Sequence, residues 1–200
     1  MISKQPQRSR RLSGEARRSE LLSSARQVFG SAGYHSTTTR EIASAAGVSE
    51  ALLYQHFPGK RQLFEAVIQE AAADLEARLC AAGDAADPLG AALEGYFEFV
   101  EQEAPLFLVF FRQALQADPA FEHLYRELNQ RFLELCEGSL GRLGDLAPER
   151  QEVVAHALGG MVTELALWWV ESGRLDRRQI VEHAARMGRA IYESEVGDGS

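Results

Sequence analysis

Between Thr37 and Phe57 the sequence reads TTTREIASAAGVSEALLYQHF, and its bonding side chains recur at short helical intervals. Thr39 and Arg40 open one run. Ser49, Glu50, Ala51, Leu52, Tyr54, Gln55 and His56 make the second, and Lys60 follows. Their chemistry is recognition of shaped, charged surfaces. An arginine fork such as that of Arg40 matches the edge of guanine, Gln55 the edge of adenine, and Ala51 and Leu52 the methyl of thymine, while Glu50 accepts from a cytosine amino group. Thr39, at a helix start, meets phosphate with the helix N-terminus adding its partial positive charge. Chemistry for covalent change is not in sight. There is no nucleophile elbow, phosphate loop or paired carboxylate, and the five histidines are scattered without ligand spacing. No catalytic residue, metal or cofactor is expected.

These residues need a frame. Thr38 is placed to cap a first short helix, with Glu41 three residues on returning a bond to the cap's own N–H. Ile42, Ala45 and Ala46 form its apolar stripe, and Gly47 stands where it must stop and turn. Val48 anchors the turn, Ser49 caps a second helix, and Leu52, Leu53 and Phe57 are its apolar residues. Helices of one or two turns are not stable alone, so neighbours must hold them. The preceding stretch, Gly14 to Ala32, carries Leu21, Leu22, Ala25, Val28, Phe29 and Ala32 on one helical face and is the natural cover. A three-helix head follows, built as a helix-turn-helix whose second helix enters the major groove of DNA.

The order and spacing of further residues make this specific: Phe29, Gly33 and Tyr34, then Thr-Thr-x-x-Ile-Ala, Gly-Val-Ser, Leu53-Tyr54, His56-Phe57, Lys60 and Leu63. Residues 17–64 closely resemble the N-terminal domain of TetR-family transcriptional regulators. Beyond residue 80 the match is one of length and helical pattern. The resemblance implies phosphate contacts for Tyr54, His56 and Lys60, and a C-terminal body that dimerises and senses a ligand. Two residues depart from the commoner pattern: Ala51 stands where glycine is frequent, and Gly59 where Ser, Asn or Asp usually caps the next helix. From sequence Tyr54 fits either a phosphate contact or the core. Glu50 either reads a base or simply favours its helix N-terminus.

The net charge of −8 hides an asymmetry. Residues 1–63 hold ten Lys/Arg against four Asp/Glu, a surplus of +6, whereas residues 64–200 hold eleven against twenty-five, or −14. Such a dipole turns the basic head toward phosphate. Residues 1–12 are expected to be a basic flexible arm, from which Lys4, Arg8, Arg10 and Arg11 add phosphate or minor-groove contacts. Cys80 and Cys136 lack paired spacing and read as reduced thiols. The longest uninterrupted apolar run, Leu165 to Val170, is too short to span a bilayer. No membrane partner and a cytoplasmic location are expected.

From Lys60 to about Ala82 a long helix leaves the head, a lever whose two halves pack on head and body. Five more helices are expected, starting near Pro88, Pro105, Pro119, Pro148 and residue 176, with no period-2 alternation for a sheet. The fold class is all-α, an N-terminal helix-turn-helix head at 13–63 joined by the long helix to a C-terminal helical bundle within 64–200, about nine helices in all. Tyr96, Phe97, Phe107, Phe110, Phe111, Tyr125, Trp168 and Trp169 suggest an aromatic pocket for an apolar or aromatic small molecule, with Arg112, His123, His156 and Glu164 as its polar contacts. Packing alone also accounts for such a cluster. The last two helices offer dimer faces through Val154, Leu158, Met161, Leu165, Ile180, Ala184, Ala185, Met187, Gly188 and Ile191. The function expected is a ligand-responsive, sequence-specific DNA-binding regulator, a homodimeric repressor that binds a palindromic operator and is released by an apolar effector. The alternative is a helical ligand-binding or scaffold protein that does not bind DNA.

Overall fold

A computed structural model of the chain describes residues 13–140 and 146–197. The basic arm expected at 1–12 lies outside the described residues. Among those described there are nine helices and no strands. Three build the head: α1 (Gly14–Ala32), α2 (Thr39–Ala45) and α3 (Glu50–His56).

Local chemistry sets their ends. The Ser13 side chain accepts from the Ala16 N–H to start α1, and Gly33, at φ +82°, stops it while its N–H donates to the Phe29 carbonyl. Thr38 and Glu41 form the full capping box on α2. Gly47 turns the chain at φ +65°, and the Ser49 hydroxyl accepts from the Leu52 N–H to start α3. Phe57, extended before Pro58, ends it. The stripe of α2 differs by one position from expectation: Ile42 and Ala43 are buried, while Ala45 is exposed.

The long helix α4 (Lys60–Ala82) starts at Gly59 without a side-chain cap, as that departure from the family pattern implies. Its first half lies against α1, and its later turns lie against α5 (Pro88–Gln102) and α7 (Pro119–Leu140). α8 (Pro148–Ser172) packs between α7 and α9 (Arg177–Gly197), and α9 returns to α5. By length and composition α8 could cross a membrane. Here it is a core helix, burying Val154, Leu158, Val162 and Leu167 along one side.

The helix after Pro105 is not uniform. α6 runs Ala104–Val109, widens into a π-helical stretch Phe110–Ala114, and closes with one α turn, Leu115–Ala117. There the Leu115 N–H donates to the Phe110 carbonyl, five residues back. π stretches of this kind are often found at functional positions.

Phe64 of α4 is the hub between head and body. Fully buried, it meets Phe29 and Tyr34 of the head at ring-centroid distances of 4.8 and 5.0 Å, and Phe121 of α7 at 5.2 Å. One apolar core therefore runs from Leu21 through Phe64 to Ala185. Polar ties reinforce it: Arg26 of α1 pairs with Glu103 at 2.8 Å, and the Tyr34 N–H donates to Gln113 Oε1 at 3.1 Å.

Candidate nucleic-acid interface and internal cavity

α3 offers one side outward. Leu53 is fully buried and Phe57 nearly so, with Arg18 of α1 over the Phe57 ring, whereas Ala51, Tyr54 and Gln55 are exposed and Leu52 and His56 half-exposed. Tyr54 is 49% exposed, which removes the core reading left open by the sequence.

The side chains expected to meet DNA form a small network centred on Glu50. Its carboxylate accepts from the Thr39 hydroxyl at 2.7 Å and from the Tyr54 hydroxyl at 3.4 Å. Arg40 stands 3.7 Å from its other oxygen, with the arginine side chain 86% exposed. The two hydroxyl oxygens are 3.1 Å apart, so the single Tyr54 proton is shared between Thr39 Oγ1 and the longer contact to Glu50. Glu50 therefore ties the start of α2 to α3. The Thr39 bond, above all, holds its carboxyl below the usual carboxylate range, with the Arg40 charge assisting. Its anionic side is turned to its own neighbours, which moderates the cost of a carboxylate beside phosphates.

Lys60 differs from expectation. Its ammonium donates to the carbonyls of Tyr34 and His35 at 2.9 and 3.3 Å and sits 4.6 Å over the Tyr34 ring. In the DNA-free chain it clamps the α1–α2 loop to the start of α4, because exposed loop carbonyls lie within its reach. Ser49 spends its hydroxyl oxygen on its cap. What remains outward is Arg40, Ala51, Gln55 and the rims of Thr39, Tyr54 and His56, on a head whose residues 13–63 hold six Lys/Arg against four Asp/Glu.

In the body a cavity of about 120 Å³ opens among α4, α5, α6, α7 and α8. Tyr96, Phe107, Phe110, Phe111 and Tyr125 line it, as expected of them. Seven other expected residues do not. Phe97, fully buried, lies off the cavity, edge-on to Tyr96 at 5.5 Å and to Trp169 at 5.6 Å. Trp169 donates its Nε1–H to the Leu175 carbonyl at 2.7 Å. Trp168, one residue earlier on the helix, faces outward at 39% exposure. Arg112 forks onto Glu171 at 2.7 and 3.0 Å, and His123 is exposed, as are His156 and Glu164. Neighbours in a helix point about 100° apart, which leaves Phe97 off the cavity that Tyr96 lines.

Sequence reasoning missed Phe99, Leu106, Phe132, Asn129 and Thr163 on the lining, and Ile68, Ala71 and Leu75 of α4. A signal was present. Ile68, Ala71, Ala72 and Leu75, like Tyr125, Leu128, Asn129 and Phe132, follow the i, i+3, i+4, i+7 spacing of one helical face.

The expected dimer residues divide. Val154, Leu158, Ile180, Ala184, Ala185 and Gly188 are buried inside the subunit and cannot meet a second copy. Met161, Leu165 and Ile191 are half-buried, and Met187 is 40% exposed. α8 instead shows a second stripe outward, Val153, Ala157, Gly160, Glu164 and Trp168, with Val153 at 59% exposure. Among the described residues no group of His, Cys, Asp and Glu could hold a metal ion.

Residues 21–67 match the family described as "Bacterial regulatory proteins, tetR family", and residues 86–188 match "Tetracyclin repressor-like, C-terminal domain". The chain is 29% identical over 180 residues to the HTH-type transcriptional activator FasR of Mycolicibacterium smegmatis, covering 88% of this chain and 82% of that one. It is 32% identical over 130 residues to the HTH-type transcriptional repressor KstR2 of Rhodococcus jostii, covering 62% and 63%. Among solved structures, a tetR-family transcriptional regulator from Streptomyces coelicolor superposes with a TM-score of 0.78 at 26% identity, covering 93% of this chain and 84% of that one.

Proposed function

The chain belongs to the TetR family of bacterial regulatory proteins, and on that premise we propose that it is a cytoplasmic repressor working as a two-fold dimer on a palindromic operator. DNA binding through the helix-turn-helix and ligand binding by the C-terminal body are what the family does. The observation that carries the reading is the outward face of α3 beside the Thr39–Arg40–Glu50–Tyr54 network. It is a preorganised reading surface on a basic head. In it Thr39, Tyr54 and His56 position the head on phosphate, and Lys60 holds the loop beneath them. Arg40, Ala51, Leu52 and Gln55 face base edges. Glu50, oriented by Thr39, chooses among bases by excluding wrong contacts.

One head supplies too few contacts for specific affinity. Two copies related by a two-fold axis read half-sites about 34–36 Å apart. The outward stripe of α8 and Met187 of α9 are the proposed pairing face, since Val153, Trp168 and Met187 are large apolar side chains left in water by a single chain. Residues 13–63 are thus assigned to reading and 64–200 to sensing and pairing.

The effector is a small apolar molecule in the 120 Å³ cavity. That cavity touches α4 at Ile68, Ala71 and Leu75, and α6 at Phe110 and Phe111. Two residues on, Gln113 holds the head through Tyr34, and Glu103 on the lining holds it through Arg26. A ligand that fits best when α4 and α6 move apart draws the dimer into a state whose two α3 helices miss successive major grooves. KstR2 is described as a repressor and FasR as an activator, so the sign of regulation is a separate measurement. Selection of bound sequences from random duplex DNA, followed by anisotropy titrations over a salt series, tests the reading. A palindrome and a steep loss of affinity with salt are expected. Absence of any retained sequence at low salt would leave a ligand-binding scaffold.

A further inference from the structure

The body is hollow at two adjoining places. Beyond the larger cavity lies a second of about 60 Å³, walled by Leu79, Leu89, Ala92, Cys136 and Leu158 among others. Tyr96 and Phe132 line both. Their ring centroids are 5.9 Å apart with planes tilted by 44°, so the partition is a single pair of rings. Phe132 backs onto Gly159, where a Cβ would come within 3.4 Å of its Cε1. Gly188 likewise leaves room for Leu158 and Leu89, whose Cδ2 atoms would lie 3.3 and 3.5 Å from a Cβ there.

The two compartments differ in polarity. Glu76, Glu103, Asn129 and Thr163 all belong to the larger one, whereas the smaller is apolar but for the Cys136 thiol and Tyr96. The two carboxylates are already matched from outside, Glu76 by Arg131 at 2.6 Å and Glu103 by Arg26 at 2.8 Å. They require no cation and repel an anion. An apolar cavity of about 150 Å³ takes one benzene ring. The larger compartment is smaller than that, so a rigid ring would fill it and stop at Tyr96 and Phe132. A chain one methylene wide passes when those rings turn.

Resting on the effector-released reading above, we propose that the effector is an unbranched aliphatic chain with an uncharged hydrogen-bonding head. The head lies in the larger compartment beside the Asn129 amide, the tail enters the smaller one between Tyr96 and Phe132, and this pair with Ala92 sets the accepted chain length. Straight-chain primary alcohols from butanol to dodecanol, titrated into the full-length protein by calorimetry, test it against the matching alkanoates. In the wild type, affinity rises about fourfold per methylene past the length that fills the larger compartment, and the alkanoates bind at least about tenfold more weakly. Ala92→Leu adds an isopropyl group to the smaller compartment and ends the rise at a shorter chain, with butanol unaffected. Gly188→Ala, which presses Leu158 and Leu89 into the same space, gives the same truncation should Ala92→Leu fail to fold. The same end point in the wild type and both variants overturns the proposal, as does binding of benzene-sized rings alone. Anisotropy on operator DNA in the same samples separates the two readings. Tight DNA binding with no alcohol bound sinks only the chain proposal, and alcohols that bind without releasing DNA sink only the effector-release reading.

Discussion

Replacing Gly33 with alanine perturbs the joint between head and body at one atom. Gly33 ends α1 at φ +82° and ψ 166°, a region that costs any residue with a Cβ about 1–3 kcal/mol. The new Cβ would lie 2.6 Å from Gln113 Oε1, the oxygen that accepts the Tyr34 N–H at 3.1 Å. Gln113 must swing away, and a part-buried hydrogen bond of about 1 kcal/mol is lost with it. The smaller entropy of the unfolded alanine chain offsets about 0.4–1 kcal/mol. The net loss is about 1–3.6 kcal/mol, or a fall of about 2–14 °C in Tm for a chain of this size. Gln113→Ala alone costs about 1 kcal/mol. Because both changes remove the same bond, the double variant should be about 1 kcal/mol more stable than additivity gives. Urea unfolding followed by circular dichroism measures all three. Strictly additive losses would refute the shared contact, and a Gly33→Ala protein as stable as the wild type would refute the backbone geometry.

Further predictions concern DNA reading, pairing and the buried thiol. Arg40→Ala should lower the salt slope of operator binding by about one with little change in stability, and an unchanged slope would remove Arg40 from the interface. Glu50→Gln should strengthen binding to random DNA while reducing discrimination, because a negative charge leaves the phosphate face and Thr39 and Tyr54 keep only a neutral amide oxygen as acceptor. Since the folded carboxyl is held below its unfolded value, its contribution is present above the unfolded value and disappears only as pH falls through the folded one. A carboxyl titration by NMR that gives the ordinary value for Glu50 would contradict this. Met187→Glu with Trp168→Glu should halve the solution mass and weaken operator binding sharply, and an unchanged mass would move the pairing face elsewhere. Burial pushes the Cys136 thiol up to about 12, while Cys80 is exposed. A thiol reagent at neutral pH should therefore modify Cys80 quickly and Cys136 only after unfolding, whereas equal rates would contradict the buried site.

Helix ends were legible because the chemistry that sets them is local. Ser13, Thr38, Ser49 and Asp87 each accept from an N–H three residues on, a pattern that needs no tertiary partner. The head was legible for the same reason, aided by family motifs confined to residues 17–64. The π stretch at Phe110–Ala114 was not, since LFLVFFRQAL is compatible with an ordinary helix throughout. The Lys60 clamp was not legible, because its partners, the Tyr34 and His35 carbonyls, lie 26 and 25 residues away.

By itself, then, the sequence determined the helices, their caps, the head that reads DNA and the charge that turns it toward phosphate. Periodicity says which residues share a face, never which neighbour that face meets. On α8 two apolar stripes compete, and only packing decided that Val154 and Leu158 go inward while Val153 and Trp168 stay out. The cavity is a still clearer case. A void is defined by side chains from five helices that fail to fill it, so Tyr96 lines it and Phe97 does not. That outcome belongs to the assembled body and to no single segment of the chain.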